Sequence, residues 1–195
     1  MSITDIRPLK TALRQKYRTI RLQMPTDVRA TADERIADRV RSLRQYQSCS
    51  MLLTYVSTDI EVDTLHIIDT ALQDGKTVAV PRCVDGTRLM EFYRILSIDE
   101  LHAGSFGVRE PAADPDRLIS DFSSSMCIVP AFSYDWRGYR LGYGKGYYDR
   151  FLANYSGDII GICYSNCVQR SLPHGRYDRR VKLLVTEKYI RRTAI

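Results

Sequence analysis

Met51-Leu52-Leu53-Thr54-Tyr55-Val56, followed by Asp63 to Gln73 and then Thr77-Val78-Ala79-Val80-Pro81, is the stretch on which the fold turns. Its outer segments are short apolar runs that suit buried strands, and the middle segment carries apolar residues at helical spacing up to a stop at Gly75. A strand, a helix and a second strand in this order predict a βαβ unit, and therefore parallel strands joined by a crossover helix.

Downstream of this unit, Arg88 to Ile95 alternates like a strand, and Met126 to Phe132 is an apolar run interrupted at Pro130. Asp158 to Tyr164 and Val181 to Val185 supply two more strands, while Tyr147, Phe151 and Tyr155 mark a helix over Gly146 to Tyr155. Upstream, residues 5 to 24 predict an amphipathic helix with Ile6, Leu9, Leu13, Tyr17, Ile20 and Met24 on one face, Asp5 as N-cap and Pro8 in the first turn. Lys10, Arg14, Arg18 and Arg21 fall beside that face as a basic strip. A second, charged helix is expected from about Thr26 to Gln45. The whole pattern predicts an α/β fold, an open, mainly parallel sheet flanked by helices in a Rossmann-like three-layer arrangement. One domain is expected over residues 1–195, with the N-terminal helices, residues 5–45, packing on the sheet. The longest irregular stretch, Ala103 to Ser125, is of the kind that borders sites.

With 195 residues, 44% of them hydrophobic and 27% charged, the chain suits a single core-forming domain. No basic segment followed by an apolar run opens it, and no stretch approaches the roughly 20 apolar residues that span a bilayer, so a cytoplasmic protein is expected. The five cysteines, Cys49, Cys83, Cys127, Cys163 and Cys167, are scattered among apolar residues and fit reduced, buried thiols. Cys163 and Cys167 stand four apart without a second pair or a nearby histidine to complete a zinc set. A net charge of +6 suits an anionic partner, either nucleic acid or a phosphate- or carboxylate-bearing small molecule.

Chemistry concentrates in Gly138-Tyr139-Arg140-Leu141-Gly142-Tyr143-Gly144-Lys145-Gly146-Tyr147-Tyr148-Asp149-Arg150. Glycines let the backbone approach a ligand and turn its N–H groups inward, and the following helix start favours anions. Lys145 and Arg140 can neutralise phosphate oxygens, and Asp149 offers a hard oxygen to magnesium. A Walker-type loop fails because Gly146 follows Lys145, and a dinucleotide fingerprint from Gly142 fails because Tyr147 stands where glycine is required. The plain structural alternative is a tight turn whose tyrosines only pack.

The run Arg140 to Asp149 resembles the motif of the 5-formyltetrahydrofolate cyclo-ligases, also called methenyltetrahydrofolate synthetases. Lys10-x-x-Leu13-Arg14, Glu61-Val62-Asp63-Thr64, Val80-Pro81, Met90-Glu91-Phe92, Phe106-Gly107 with Glu110-Pro111, and Val129-Pro130 ahead of Asp135-x-x-Gly138 are similar to that family in order and spacing. The resemblance implies a ligase that uses ATP and Mg2+ to close 5-formyltetrahydrofolate to 5,10-methenyltetrahydrofolate, releasing ADP and phosphate. It implies ATP contacts at Lys10, Arg14 and the loop residues Arg140, Leu141, Gly142, Tyr143, Gly144, Lys145, Gly146, Tyr147 and Tyr148, with magnesium on Asp149. Arg140, Lys145 and Tyr147 would serve the transfer itself. Folate contacts fall at Val56, Glu61, Met90, Phe92, Phe106, Tyr143 and Tyr147. The implied partner is the small-molecule folate, with or without a polyglutamate tail, with neither nucleic acid nor membrane, and the chain a monomer or weak homodimer. The chain departs from the pattern at Cys167, at Tyr177 and at Lys182, the last replacing an aspartate suspected of a second magnesium contact. Two other readings stand beside it: a paralogue that binds folate or nucleotide without turnover, and a basic nucleic-acid-binding module whose 13 tyrosines stack on bases.

Overall fold

The computed structural model describes residues 5–193. At its centre is a seven-stranded sheet built from β1 (Met51–Thr54), β2 (Thr77–Cys83), β3 (Met90–Ile95), β6 (Ser125–Val129), β9 (Asp158–Ile162), β11 (Leu183–Val185) and β12 (Ile190–Arg192) in the spatial order β12-β11-β9-β6-β1-β2-β3. The five inner strands are parallel, with Met51 opposite Thr77 on one side of β1 and opposite Ser125 on the other. Both edges run antiparallel. The expected parallel sheet is therefore present.

Inner strands must be apolar on both faces because helices cover both, and β6 is buried at every position. From β1 the chain crosses through α4 (Leu65–Gln73) to β2; from β6 it crosses through α5 (Tyr147–Ala153) to β9, in the opposite direction. Right-handed crossovers that progress in opposite directions place their helices on opposite faces, which makes three layers. The winding reverses between β1 and β6, and the cleft outside the carboxyl ends of those strands is where such sheets take ligands.

Several boundaries differ from the sequence expectation, each for a local reason. The first helix, α1, spans Arg7–Leu22, and its N-cap residue is Ile6, while the Asp5 carboxylate accepts the Arg7 N–H at 3.0 Å. The second helix breaks at Leu43, whose ψ of 137° drops its buried side chain into the core and divides α2 (Thr26–Ser42) from α3 (Arg44–Ser48). The strand expected over Arg88 to Ile95 starts at Met90 and folds back on β2 as a hairpin. Within Ala103 to Ser125 lies another short hairpin, β4 (His102–Ala103) with β5 (Arg109–Glu110). A small second sheet, β10 (Val168–Gln169), β7 (Ser133–Asp135) and β8 (Arg140–Leu141), takes in the start of the glycine-rich segment. No helix among the described residues is long and apolar enough to cross a membrane. Cys49, Cys127, Cys163 and Cys167 are buried and unpaired, and Cys83 is half-buried.

The two sheets meet through one ring. Tyr134 of β7 is fully buried, donates its hydroxyl to the Val129 carbonyl at 2.6 Å and lies flat on Gly161 of β9, where an added Cβ would fall 2.6 Å from ring carbon Cε1. Gly161→Ala is expected to cost about 2 kcal/mol by overpacking, lowering Tm by roughly 4–8 °C. Thermal unfolding checks it, and the loss should shrink when Tyr134→Leu is added to the same chain.

Candidate functional site

The site begins where β6 ends. After Pro130 the chain forms the β7–β8 hairpin, with Ser133 opposite Leu141. Its turn is held by the wholly buried Asp135, whose Oδ1 accepts the N–H groups of Arg137 at 2.9 Å and Tyr139 at 3.0 Å, and whose Oδ2 accepts that of Leu172 at 2.9 Å. Leu141 is buried and serves the core; its carbonyl closes the hairpin by accepting the Phe132 N–H at 2.8 Å. Gly142 to Gly146 then loop across α1. Arg14 donates from Nε to the Gly142 carbonyl at 2.8 Å, and a Cβ at Gly144 would sit 3.2 Å from the Arg14 guanidinium. Gly144 (φ 93°) and Gly146 (φ 77°) hold left-handed backbone that side chains with a Cβ resist.

Cations gather along this loop. Arg140 is buried and pairs through Nη2 with Asp149 Oδ1 at 2.8 Å, the same oxygen that accepts the Arg179 backbone N–H at 3.2 Å. The Arg140 Nε is buried with no hydrogen-bond partner. Lys10 pairs with Asp178 at 2.6 Å, and Asp178 also accepts the Gly175 N–H at 2.8 Å. Lys10, Arg14, Arg140 and Asp149 thus come together through the 142–149 and 174–180 segments. The helix dipole invoked from sequence contributes little, because α5 has only 7 residues; the attraction for anions rests on the side-chain cations.

Asp149 fits a magnesium site as a single ligand. Among the described residues its Oδ2 accepts no protein hydrogen bond, and no cluster of three or more His, Cys, Asp or Glu side chains is arranged to hold a metal ion. Magnesium commonly takes one or two carboxylates and completes its octahedron with phosphate oxygens and water. Lys182 lies elsewhere: its ammonium is 3.6 Å from Asp158 and 3.4 Å from the Gly157 carbonyl, with the side chain largely exposed.

The residue after Gly142, Tyr143, reaches Glu61, a buried carboxylate in the turn after β1. Tyr143 donates its hydroxyl to Glu61 Oε1 at 2.5 Å, and Glu61 Oε2 accepts the Thr58 N–H and hydroxyl, both at 2.9 Å. Burial, and after it the neighbouring Glu61 charge, pushes the Tyr143 phenol well above its usual range, so it stays a donor. Its ring packs on Phe132 at 4.5 Å between centroids. Val56 is buried beside this turn. Tyr148 carries a buried hydroxyl with no partner, and its ring stands 5.9 Å from the Arg140 guanidinium.

Of the remaining expected contacts, Met90 and Tyr147 line a cavity of about 180 Å³ with Phe122, Arg150 and Phe151. Tyr147 leans to the β2–β3 hairpin, its hydroxyl 3.4 Å from the Thr87 carbonyl. Phe92 belongs to the core, not to an open wall: it is 1% exposed and meets Phe151 at 4.7 Å and Phe122 at 6.2 Å between ring centroids. The side chain of Phe106 lies outside the described residues. Sequence reasoning missed Asp178, the Arg179 N–H and Thr58, although the Thr58-x-x-Glu61 spacing is that of a reciprocal cap and could have announced the last. It also set Arg21 in a basic strip beside the apolar face of the first helix, whereas Arg21 is buried, 1% exposed.

The fold is similar to that of known proteins. The family model described as the 5-formyltetrahydrofolate cyclo-ligase family matches residues 7–187. A Schizosaccharomyces pombe protein named probable 5-formyltetrahydrofolate cyclo-ligase is 31% identical over 173 residues, covering 80% of this chain and 84% of that protein. The Saccharomyces cerevisiae 5-formyltetrahydrofolate cyclo-ligase is 28% identical and covers 90% of this chain and 94% of its own. The solved structure of Aquifex aeolicus 5,10-methenyltetrahydrofolate synthetase superposes with a TM-score of 0.83 at 31% identity, covering 96% of this chain and 94% of that one. The match over residues 7–187, with the shared fold beneath it, means that the chain belongs to the 5-formyltetrahydrofolate cyclo-ligase family.

Proposed function

We propose that the chain closes 5-formyltetrahydrofolate to 5,10-methenyltetrahydrofolate at the expense of MgATP, releasing ADP and phosphate. The observation that carries this reading is the single loop 142–149, whose adjacent residues Gly142 and Tyr143 are held by Arg14 and Glu61 and whose far end is held by the Arg140–Asp149 pair. A phosphoryl donor held by the cations and a formyl acceptor held at Glu61 would meet along it. Phosphoryl transfer depends on positioning and charge neutralisation more than on a protein nucleophile, and this site is rich in the first two.

Lys10, Arg14 and Arg140 hold the triphosphate, and Lys145 with Arg140 offsets the charge that builds as the γ-phosphoryl passes to the formyl oxygen and ADP leaves. Glu61, kept in place by Thr58 and Tyr143, accepts from the amino and ring N–H donors of the pterin. Met90 and Tyr147 supply an apolar wall. The second folate nitrogen then attacks the activated formyl carbon, and its C–O bond breaks to free phosphate. Asp149 would hold magnesium, which would supply charge neutralisation to the phosphates when bound. The setting we propose is the cytosol, where unpaired thiols remain reduced.

The decisive test is the absorbance of the methenyl product, expected from 5-formyltetrahydrofolate only with both ATP and a divalent metal. Product forming equally well in EDTA would exclude the metal, and ligand binding without product would favour the non-turnover paralogue. A division of labour is also expected: Lys10→Ala and Arg14→Ala should raise the KM for ATP, and Glu61→Gln that for folate, each by roughly ten- to a hundredfold, the equivalent of about 1.5–3 kcal/mol per charge-assisted contact. Equal effects on both substrates in every variant would contradict it. Because Lys182 pairs with Asp158, Lys182→Ala should leave the magnesium requirement within about twofold of the parent, whereas Asp149→Asn should lose most activity at any magnesium concentration. A magnesium titration of the two variants decides between them.

A further inference from the structure

Arg21 is a buried cation whose hydrogen-bond partners among the described residues include no carboxylate. Its Nη2 donates to the carbonyls of Ala131 at 2.5 Å and Phe132 at 3.1 Å, and Nη1 to that of Ile60 at 3.3 Å. Its guanidinium lies 5.6 Å from the Phe132 ring and 6.0 Å from the Tyr164 ring. Burying such a charge is unfavourable unless its donors are met, and here carbonyl dipoles, the Cys163 sulfur 3.8 Å from Nη2 and aromatic faces meet them, apart from an Nε with no partner among the described residues. A leucine or methionine at this place would fill the core without that cost. What the guanidinium adds is a bridge: Ile60 lies in the turn after β1, Ala131 and Phe132 in the segment after β6, and a planar fork reaches both at once.

We infer that Arg21 is a positioning residue for the substrate end of the site, fixing the distance between Glu61 and Tyr143 across the reversal of winding; this rests on the proposed folate role of Glu61. Ile60 precedes Glu61 directly, and Phe132 is the residue on which the Tyr143 ring packs. The neighbouring carbonyls are also held. Arg29, whose Nη2 caps the Arg21 carbonyl at 2.7 Å, donates Nη1 to the Asp59 carbonyl, and the Tyr164 hydroxyl lies 3.1 Å from the Glu61 carbonyl. All three carbonyls from Asp59 to Glu61 are therefore engaged, by α1, by α2 and by the turn after β9. Only Arg21 among these groups also grips the segment that leads to Tyr143. A short Glu61–Tyr143 contact between two loops with no strand pairing of their own needs such a tie.

The experiment combines hydrogen exchange with kinetics on Arg21→Lys, which keeps the charge but loses the fork. Exchange is expected to rise about fivefold or more in residues 57–63 and 131–143 while β1, β2 and β6 keep their protection. The KM for 5-formyltetrahydrofolate should rise roughly tenfold, with the KM for ATP within about twofold of the parent. Unchanged exchange in the two segments, or loosening spread over the whole sheet, overturns the inference. Raised exchange in both segments of a protein whose parent shows no turnover upholds the tie and rejects the folate reading instead. Arg29→Lys, which leaves Arg21 in place, is the second variant: exchange should rise at 57–63 alone, and a rise at 131–143 as well would remove the bridge from Arg21.

Discussion

The hydrogen bond from the Tyr143 hydroxyl to Glu61 joins two loops that the sheet itself keeps apart. One loop leaves β1 and the other leaves the β7–β8 hairpin that follows β6, and between β1 and β6 the chain reverses its winding. Parallel strands direct their helices away to opposite faces from such a point, so the gap above it is unfilled by regular structure. Whatever closes the gap must come from side chains, and Glu61, Tyr143, Phe132 and Arg21 are those side chains. Arg14 and this contact hold the glycine-rich loop at Gly142 and Tyr143, the Arg140–Asp149 pair holds its far end, and between them the backbone enters the left-handed region at Gly144 and Gly146. The loop is held at its ends and shaped in its middle.

The charge of +6 is distributed with the same economy. Arg140 is buried against one carboxylate, Lys10 against another, and Arg21 against carbonyls and the Cys163 sulfur. The pairings of Lys10 and Arg140 fix the geometry of those donors before any anion arrives. Preorganised donors of this kind interact more strongly with charge than flexible surface lysines do, because no ordering of side chains remains to be done on binding.

Legibility from sequence followed physical type. The inner strands were readable because burial on both faces demands continuous apolar runs, as in Met51 to Val56 and Met126 to Val129. The edge strand β12 was not, since Ile190-Arg191-Arg192 carries no such run and exists only because β11 offers it a ladder. The break at Leu43 was hidden for the opposite reason, a residue whose propensity favours helix being turned by the space available for its side chain. In the site, Arg140 to Asp149 stood out by composition and by family likeness, and Glu61 by the likeness alone. Arg21 looked like one more basic residue on a helix because most of its partners are backbone carbonyls, which leave no mark in the sequence. Phe92 misled in the reverse sense: an aromatic residue on a strand is the same letter whether it walls a pocket or fills the core.

The two edges of the large sheet bear on how the protein behaves among copies of itself. β12 is exposed along its length, and two of its three residues are arginines, one of them lying 5.1 Å from the Trp136 ring. On the far edge, β3 turns Glu91 and Arg94 outward, and Leu118 bridges to Tyr93. An open strand edge offers unpaired N–H and C=O groups to any passing chain, and a second sheet docking there would extend the ladder without limit. Here a docking strand would have to strip water from two guanidinium groups on one side and from a charged pair on the other. Growth into fibres is thereby made unfavourable at both ends of the sheet, by residues that take no part in the chemistry.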